Sequence, residues 1–220
     1  MLLYNPQLLI IAGGNGAGKS TFSKDLSSVD AFIFDADKEI AKIEARYPGL
    51  PAESISYAVD QFFLDCVEDA LKKGTDFTIE TNFRDAGLMN TVSRFQENGY
   101  TVSLVYLGLS DIQQSMDRVT ARVTGGGHFV DTDSIRYNFE EGLKNLIYFV
   151  ARFDNVEFID ASGSLYELKS LLSVQNRQLV FLTDDPPEWA KQSLAQISRH
   201  FSPHAPDRDD DMEIRRGPRR

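Results

Sequence analysis

Short apolar runs alternate along the chain with longer segments that are apolar on one side only. The runs fall at residues 7–12, 31–35, 77–80, 101–107 and 156–160. Each is mostly Leu, Ile, Val and Phe, which is typical of strands that are buried on both faces of a parallel sheet. The sequence therefore predicts five parallel strands.

The segments between these runs have helical periodicity. The clearest example is 57–73, where apolar residues recur at spacings of three and four and Gly74 follows at the expected helix end. Alternation of strands and helices predicts an α/β fold, in which a mostly parallel central sheet lies between two layers of helices.

The C-terminal part of the chain has a different pattern. Residues 178–182 predict one more strand, and 186–200 predict a helix that begins at prolines. The pattern leaves open whether this pair extends the main sheet or packs on its edge. From about residue 201 prolines and mixed charges dominate, as in a solvated, flexible tail. We expect one domain over 1–200 and a polar tail over 201–220.

Composition excludes several classes of protein. The 220 residues carry a net charge of −10, which argues against a general nucleic-acid-binding surface. Cys66 is the single cysteine, so no intramolecular disulfide can form, which fits a reducing compartment. No run approaches the roughly 20 apolar residues that span a membrane, and none has the pattern of a signal peptide. We expect a cytoplasmic protein with no membrane or nucleic-acid partner.

A glycine-rich stretch, GGNGAGKS at 13–20, follows the first predicted strand and precedes a helix. It satisfies the G-x-x-x-x-G-K-[ST] pattern of phosphate loops, in which backbone N–H groups and the positive helix end face a phosphate. Lys19 is expected to reach the β- and γ-phosphates, and the Ser20 hydroxyl to bind Mg²⁺. The predicted nucleotide-binding residues are Gly13, Gly14, Asn15, Gly16, Ala17, Gly18, Lys19, Ser20 and Thr21.

Two aspartates, Asp35 and Asp37, end the second apolar run. In an extended chain both side chains would point to the same side, toward the crevice where open α/β sheets bind ligands. One carboxylate could take the proton of an attacking hydroxyl, and the other could hold Mg²⁺ or its water. Capping of the next helix is the alternative for either residue. The sequence favours a functional role for Asp37 and leaves Asp35 open between the metal and the cap.

Polar residues also follow the third apolar run. Glu80 closes this strand, where it is expected to face the site and orient Mg²⁺ or a substrate hydroxyl. Arg84 lies close enough in the chain to reach an anionic substrate. We include Thr81 and Asn82, which lie between them, among the predicted substrate-binding residues.

A pair of arginines precedes a glycine-rich segment. Arg118 and Arg122 are four residues apart and share one helix face, and three glycines follow at 125–127. Arginines on a hinged segment typically clamp a transferring phosphoryl group, whereas an isolated pair would suggest only a solvated basic face. We expect His128 to fix this lid by a hydrogen bond and Arg136, on the next helix, to add a third positive contact to the substrate.

These motifs resemble, in their order, the zeta-toxin family of phosphate-loop kinases. The residues that carry the resemblance are GGNGAGKST, DAD, IET and RVTARVTGGGH, and the similarity runs through roughly residues 7 to 165. It implies a fold akin to the shikimate and nucleoside-monophosphate kinases. Characterised zeta toxins phosphorylate the 3′-hydroxyl of the amino sugar in UDP-N-acetylglucosamine, and an antitoxin that blocks the nucleotide site holds them inactive.

The resemblance assigns a role to each matching residue. It makes Lys19 and Ser20 the phosphate-loop pair, and it places the general base on Asp37. The strand-end glutamate is Glu80 and the substrate-contacting arginine after it is Arg84. The ATP-clamping arginines are Arg118 and Arg122, with Arg136 as a further candidate.

The sequence departs from the family at two points. Alignment backward from Glu80 puts Leu64, with Asp65 and Glu68 as neighbours, where the toxins carry a glutamate that helps to hold the sugar. The turn after Glu80 reads Thr-Asn-Phe and lacks the glycine of the toxins. Both departures fall on the acceptor side.

We therefore expect a Mg²⁺-dependent kinase that uses ATP or GTP, with a UDP-N-acetyl amino sugar as acceptor and an antitoxin as a candidate partner. Two alternatives remain: a kinase for another small-molecule hydroxyl, and a nucleotide-dependent switch that acts through a partner protein. Asp37 separates the kinases from the switch, because a switch does not need a base directed at an acceptor.

Overall fold

The computed structural model describes residues 5–127, 129–164 and 167–201, in which strands and helices alternate. The strands are β1 (Gln7–Gly13), β2 (Phe32–Asp35), β3 (Phe77–Thr81), β4 (Thr101–Gly108), β5 (Asn155–Asp160), β6 (Lys169–Gln175) and β7 (Gln178–Leu182). The α-helices are α1 (Lys19–Leu26), α2 (Ala36–Arg46), α3 (Ala52–Lys73), α4 (Leu88–Glu97), α5 (Ile112–Thr124), α6 (Thr132–Phe149) and α7 (Glu188–Arg199). A 3₁₀ turn, Val150–Arg152, follows α6.

All seven strands form one sheet in the order β2-β3-β1-β4-β5-β6-β7. The five predicted runs are its parallel strands β2, β3, β1, β4 and β5, which confirms the mostly parallel α/β fold. The parallel register aligns Asp35 with Glu80 and Ala12 with Thr81. The residues at the carboxyl ends of β1, β2 and β3 therefore meet at one edge of the sheet.

Helices cover both faces of the sheet. On β1, Ile10 belongs to the larger apolar cluster, which includes buried residues of α3, α4, α6 and α7. The next residue, Ile11, belongs to a smaller cluster on the opposite face, where Phe22 of α1 packs. Because successive strand residues point to opposite faces, this division confirms the three-layer arrangement.

The C-terminal strand pair extends the main sheet. The strand predicted at 178–182 is β7, and it pairs antiparallel with β6, which in turn pairs antiparallel with β5. The hydrophobic pattern did not indicate β6. Its adjacent buried residues Leu171 and Leu172 break the alternation near a register shift, and its serines Ser170 and Ser173 hydrogen-bond to Glu157 of β5.

The predicted helices are present with small changes in their bounds. The helix expected at 57–73 is α3, which begins five residues earlier, directly after Pro51 at its N-cap, and which ends before Gly74, whose φ is 63°. The helix expected at 186–200 is α7. Within the described residues no helix is both long and apolar enough to cross a membrane. The predicted tail lies, from residue 202, outside the described residues.

Candidate active site

The glycine-rich loop joins β1 to α1, as the sequence predicts. Two glycines are required by the backbone. A Cβ at Gly13 would lie 2.4 Å from the carbonyl oxygen of Leu107, and Gly18, at the N-cap of α1, has φ of 93°, which L side chains rarely adopt. The N-terminus of α1 therefore opens directly into a cleft at the carboxyl edge of the sheet, where it favours an anion.

Lys19 is folded back against this loop. Its Nζ donates to the carbonyl oxygens of Gly13 at 2.7 Å and Gly14 at 3.1 Å, and to Oδ1 of Asn82 at 2.8 Å. Burial lowers the pKa of Lys19 from 10.5 to about 8, against the opposing charges of nearby carboxylates, of which Asp37 is the strongest. An ammonium held by neutral oxygens is ready to exchange them for phosphate oxygens.

Three oxygen-bearing side chains converge beside the loop. Ser20 Oγ lies 2.6 Å from Glu80 Oε2 and 3.2 Å from Asp35 Oδ2. Two carboxylates and a hydroxyl fit the preference of Mg²⁺, which takes one or two protein carboxylates and completes its shell with phosphate oxygens and water. No described group of three or more acidic, His or Cys side chains forms a larger metal cluster. The donor set thus suits a metal that arrives with a nucleotide.

Asp35 also caps α2. Its Oδ1 accepts from the backbone N–H of Asp37 at 3.1 Å and of Lys38 at 3.4 Å, while Oδ2 faces Ser20. Burial alone raises the pKa of Asp35, but the hydrogen bonds and charge of Lys38 outweigh it and hold that pKa below its ordinary value. The sequence left two roles open for Asp35, the cap of α2 and a place in the metal site. The structure shows one oxygen of Asp35 at the cap and the other facing Ser20.

Asp37 lies in the cleft, but not for the reason expected. The extended geometry assumed for 35–37 is wrong, because the cap at Asp35 begins α2 at Ala36 and makes Asp37 part of the first helical turn. Asp37 nevertheless lines the cleft together with Asp35 and Lys19. Its side chain is exposed, which leaves the carboxylate accessible to a second ligand.

The turn after β3 has an unusual backbone. Phe83 has φ of 54° although its ring is fully buried. Its N–H donates to Oγ1 of Thr81 at 3.0 Å, and its carbonyl accepts from Nδ2 of Asn145 at 2.8 Å. These contacts hold a backbone conformation that a non-glycine residue rarely adopts. As a result Asn82 reaches Lys19, and Thr81, Asn82 and Arg84 all line the cleft.

A chain of side-chain amides connects the two ends of the site. Arg84 Nη1 donates to Oδ1 of Asn138 at 3.3 Å, and Nδ2 of Asn138 donates to Oδ1 of Asn15 at 2.8 Å. Asn138 is 2% exposed and Asn15 is 4% exposed. Asn138 was not among the site residues predicted from the sequence. A signal exists, because Asn138 lies on the buried stripe of α6 with Ile135 and Leu146, where a polar residue requires a partner.

The two predicted lid arginines line the cleft from α5, one turn apart. Arg118 donates to the carbonyl oxygens of Gly16 at 3.4 Å and Gly163 at 2.7 Å, so it joins the phosphate loop to the segment after β5. Arg122 lies near enough to Lys19 that its charge contributes to the lowered pKa of that lysine. The two arginines therefore differ in their surroundings: Arg118 contacts backbone carbonyls, and Arg122 lies near the phosphate-loop lysine.

The structure does not bring every predicted residue to the cleft. Arg136 is exposed on α6 and is not among the residues that line the cleft. His128 lies outside the described residues. Gly13 and Gly14 are not among the residues that line the cleft, and their carbonyl oxygens accept hydrogen bonds from Lys19.

The far end of the cleft is formed by α2, α3 and α4. The whole cleft, from the phosphate loop to this end, has a volume of about 1040 Å³, which is enough for two ligands of ordinary size. On α3, Val59, Asp60 and Phe63 line this end, whereas Leu64 is 46% exposed and is not among the lining residues. Glu68 pairs with Arg94 outside it. Asp60, which was not among the site residues predicted from the sequence, is thus the acidic residue of α3 that reaches the cleft.

The fold and the site together define a phosphate-loop kinase. The loop follows β1, the parallel strands lie in the order β2-β3-β1-β4-β5, and arginines of α5 cover the loop. The sequence model of the family described as Zeta toxin matches residues 4–169, and the chain belongs to that family. The predicted resemblance is confirmed.

Three comparisons show the range of this similarity. An uncharacterised protein of Haemophilus influenzae is 26% identical over 132 residues, which cover 60% of this chain and 91% of that protein. A chain of the PezAT chromosomal toxin–antitoxin system of Streptococcus pneumoniae has a similar structure, with a TM-score of 0.58 and 14% identity. The match covers 89% of this chain and 85% of that chain. A chain of the AvrRxo1-ORF1:ORF2 complex with ATP is also similar, with a TM-score of 0.62 and 14% identity. The match covers 89% of this chain and 76% of that chain.

Proposed function

We propose that this protein is a Mg²⁺-dependent kinase that transfers the γ-phosphate of ATP or GTP to a hydroxyl of a UDP-N-acetyl amino sugar. One observation carries the proposal: the phosphate-loop Lys19 and the acceptor-side Asp37 and Arg84 line the same cleft. A nucleotide bound to the loop would direct its terminal phosphate toward the end formed by α2, α3 and α4, where a second ligand has room.

Each residue of the cleft has a chemical task in this proposal. Bound Mg²⁺ would be held by Ser20, Asp35 and Glu80 and would neutralise charge on the phosphates. Lys19 moves from its backbone oxygens to the β- and γ-phosphates, and Arg122 stabilises the charge of the transferring group. Asp37 orients the acceptor hydroxyl and takes its proton as the new P–O bond forms, while the bond from the γ-phosphorus to the β-phosphate oxygen breaks and ADP or GDP leaves.

The acceptor class is supported by membership of the family and by the residues of the far end. Arg84 offers a cation to a diphosphate, and Asp60 offers a carboxylate to sugar hydroxyls or to the acetamido N–H. Asp60 would then serve where the toxins use their helix glutamate, one turn before the position that the alignment indicated. Thr81, which follows Glu80 on β3, also lines the cleft.

The direct test is transfer to a panel of acceptors. Purified protein is incubated with ATP or GTP, Mg²⁺ and single UDP-sugars, and mass spectrometry follows the gain of one phosphate. We expect UDP-N-acetylglucosamine to be phosphorylated by the wild type and not by Lys19→Ala. Phosphorylation of UDP-glucose at an equal rate would contradict the proposed amino-sugar recognition, and phosphorylation of none would contradict the acceptor class.

We also propose an antitoxin as the partner protein. The support is the family and the PezAT neighbour, whose structure is described as part of a toxin–antitoxin system. Such a partner would cover the cleft, so ATP binding and partner binding should exclude each other in a competition titration. Simultaneous binding would contradict this mode of inhibition.

A further inference from the structure

Lys38 bridges the two carboxylates of the proposed metal site. Its Nζ lies 2.9 Å from Oδ2 of Asp35 and 3.3 Å from Oε1 of Glu80. Ser20 Oγ contacts the same two side chains, at 3.2 Å from that Oδ2 and at 2.6 Å from Oε2 of Glu80. The ammonium and the phosphate-loop hydroxyl therefore share a pair of carboxylates.

This arrangement differs from the other lysine ion pairs of the described residues. Each of those pairs joins one lysine to one carboxylate a single turn away on the same helix: Lys42 with Glu39, Lys73 with Asp69, Lys144 with Glu141, and Lys191 with Glu188. Lys38, by contrast, reaches from α2 to the end of β3. An ion pair on the surface of one helix joins residues one turn apart, whereas Glu80 is 42 residues away from Lys38 in the chain.

The carboxylates need a cation whenever no metal is bound. Asp35 is 8% exposed and Glu80 is 5% exposed, and two buried carboxylates this close repel each other unless a positive charge compensates them. Lys38 provides that charge while about half of its own side chain remains exposed. Its flexible stem allows the ammonium to leave without disturbing the fold.

A metal ion would require the same oxygens. Mg²⁺ binds its ligands at about 2.1 Å in a nearly octahedral shell, so it cannot share Oδ2 of Asp35 with an ammonium without strong repulsion. A metal ion alone would gain only two carboxylates and one hydroxyl from the protein when it displaces Lys38. The phosphate oxygens of a nucleotide add further ligands and make displacement favourable.

We propose that Lys38 is a resident cation of the metal site, which offsets the negative charge of Asp35 and Glu80 until a metal–nucleotide complex displaces it. This inference rests on the metal site of the proposed function. It has two consequences. Lys38 opposes the binding of a metal alone, and it supports the binding of nucleotide without metal, because it offsets the negative charge beneath the phosphates. The metal therefore enters together with the nucleotide.

The test compares Lys38→Met with Lys38→Arg, which keeps the charge, and with Lys42→Met, a matched control on the same helix. Mn²⁺ binding to nucleotide-free protein is followed by electron paramagnetic resonance, and ATP binding in EDTA is followed by calorimetry. We expect Lys38→Met to bind Mn²⁺ about five- to tenfold more tightly and metal-free ATP several-fold more weakly than wild type. Lys38→Arg and Lys42→Met should both resemble wild type.

Two results would overturn the inference: Mn²⁺ affinity of Lys38→Met equal to that of Lys42→Met, or weaker than wild type. Neither depends on an acceptor. A wild-type protein that binds Mn²⁺ and ATP but phosphorylates no sugar would contradict the proposed function and leave the role of Lys38 intact.

Discussion

Lys19 Nζ donates a hydrogen bond of 2.8 Å to Oδ1 of Asn82, 63 residues later in the chain. This contact joins the lysine of the phosphate loop to the turn that forms the acceptor side. The two halves of the cleft are thus connected before any ligand is bound. Substitution of Asn82 can therefore change how strongly the Lys19 ammonium is bound in the free protein.

Two substitutions of Asn82 should have different effects on nucleotide binding. Asn82→Ala leaves Lys19 with its two backbone acceptors, so we expect ATP affinity within about threefold of wild type. Asn82→Asp places a carboxylate beside a buried ammonium and repels phosphate, so we expect ATP affinity to fall about tenfold or more. Calorimetry measures both. Equal ATP affinities of Asn82→Ala and Asn82→Asp would show that the side chain at position 82 does not affect how Lys19 binds phosphate.

The close packing of α6 on the same turn gives a second prediction. A Cβ at Gly142 would lie 2.4 Å from the carbonyl oxygen of Asn82. Gly142→Ala should therefore destabilise the fold by about 1–3 kcal/mol in denaturant unfolding. In a helix without such a contact the same change stabilises by about 1 kcal/mol, so the sign of the measured change decides whether α6 and the turn are in contact.

The lowered pKa of Lys19 predicts how ATP binding depends on pH. The free protein holds this lysine at a pKa of about 8, and bound phosphates favour the ammonium and raise it. Binding above pH 8 must therefore take up a proton, and affinity should fall with rising pH by a factor that approaches about tenfold per pH unit.

Calorimetry in buffers of different ionisation enthalpy measures this proton uptake. Lys19→Arg remains charged throughout the range and is the control, in which uptake should disappear. If the wild type took up no proton at pH values above 8, the lysine would not be the group that titrates.

The two arginines of α5 should respond differently to substitution. Arg122→Ala should lower kcat more than it raises KM for ATP, because the charge on the transferring group is greatest in the transition state. Arg118→Ala should mainly raise KM, because its guanidinium joins the backbone of Gly16 to that of Gly163. Steady-state kinetics of both variants provide the comparison, and a rise in KM alone for Arg122→Ala would contradict the assignment.

The sequence predicted the parts of this protein that depend on local pattern. Continuous apolar runs identified the five parallel strands, and the spacing of glycines, Lys19 and Ser20 identified the phosphate loop. These features were predictable because burial on both faces and close backbone approach each restrict the residue types that a position can accept.

Features that depend on tertiary contacts were not predictable in the same way. The positive φ of Phe83 is held by Asn145, which is distant in the chain, and β6 is held in part by the hydrogen bonds of its serines to Glu157. Asp37 lines the cleft, but the extended geometry on which its prediction rested is prevented by the cap at Asp35. Asp60 lies in an exposed part of α3, where no local pattern distinguishes it from Asp65.

The central claim is that Asp37 acts as the base in phosphoryl transfer to a hydroxyl. Asp37→Asn keeps the size of the side chain and removes its basicity. The measurement pairs calorimetry of ATP binding with single-turnover transfer to UDP-N-acetylglucosamine on one preparation of each protein. We predict unchanged ATP affinity and a transfer rate lower by about 10² to 10⁴. Transfer by Asp37→Asn at the wild-type rate would contradict the account.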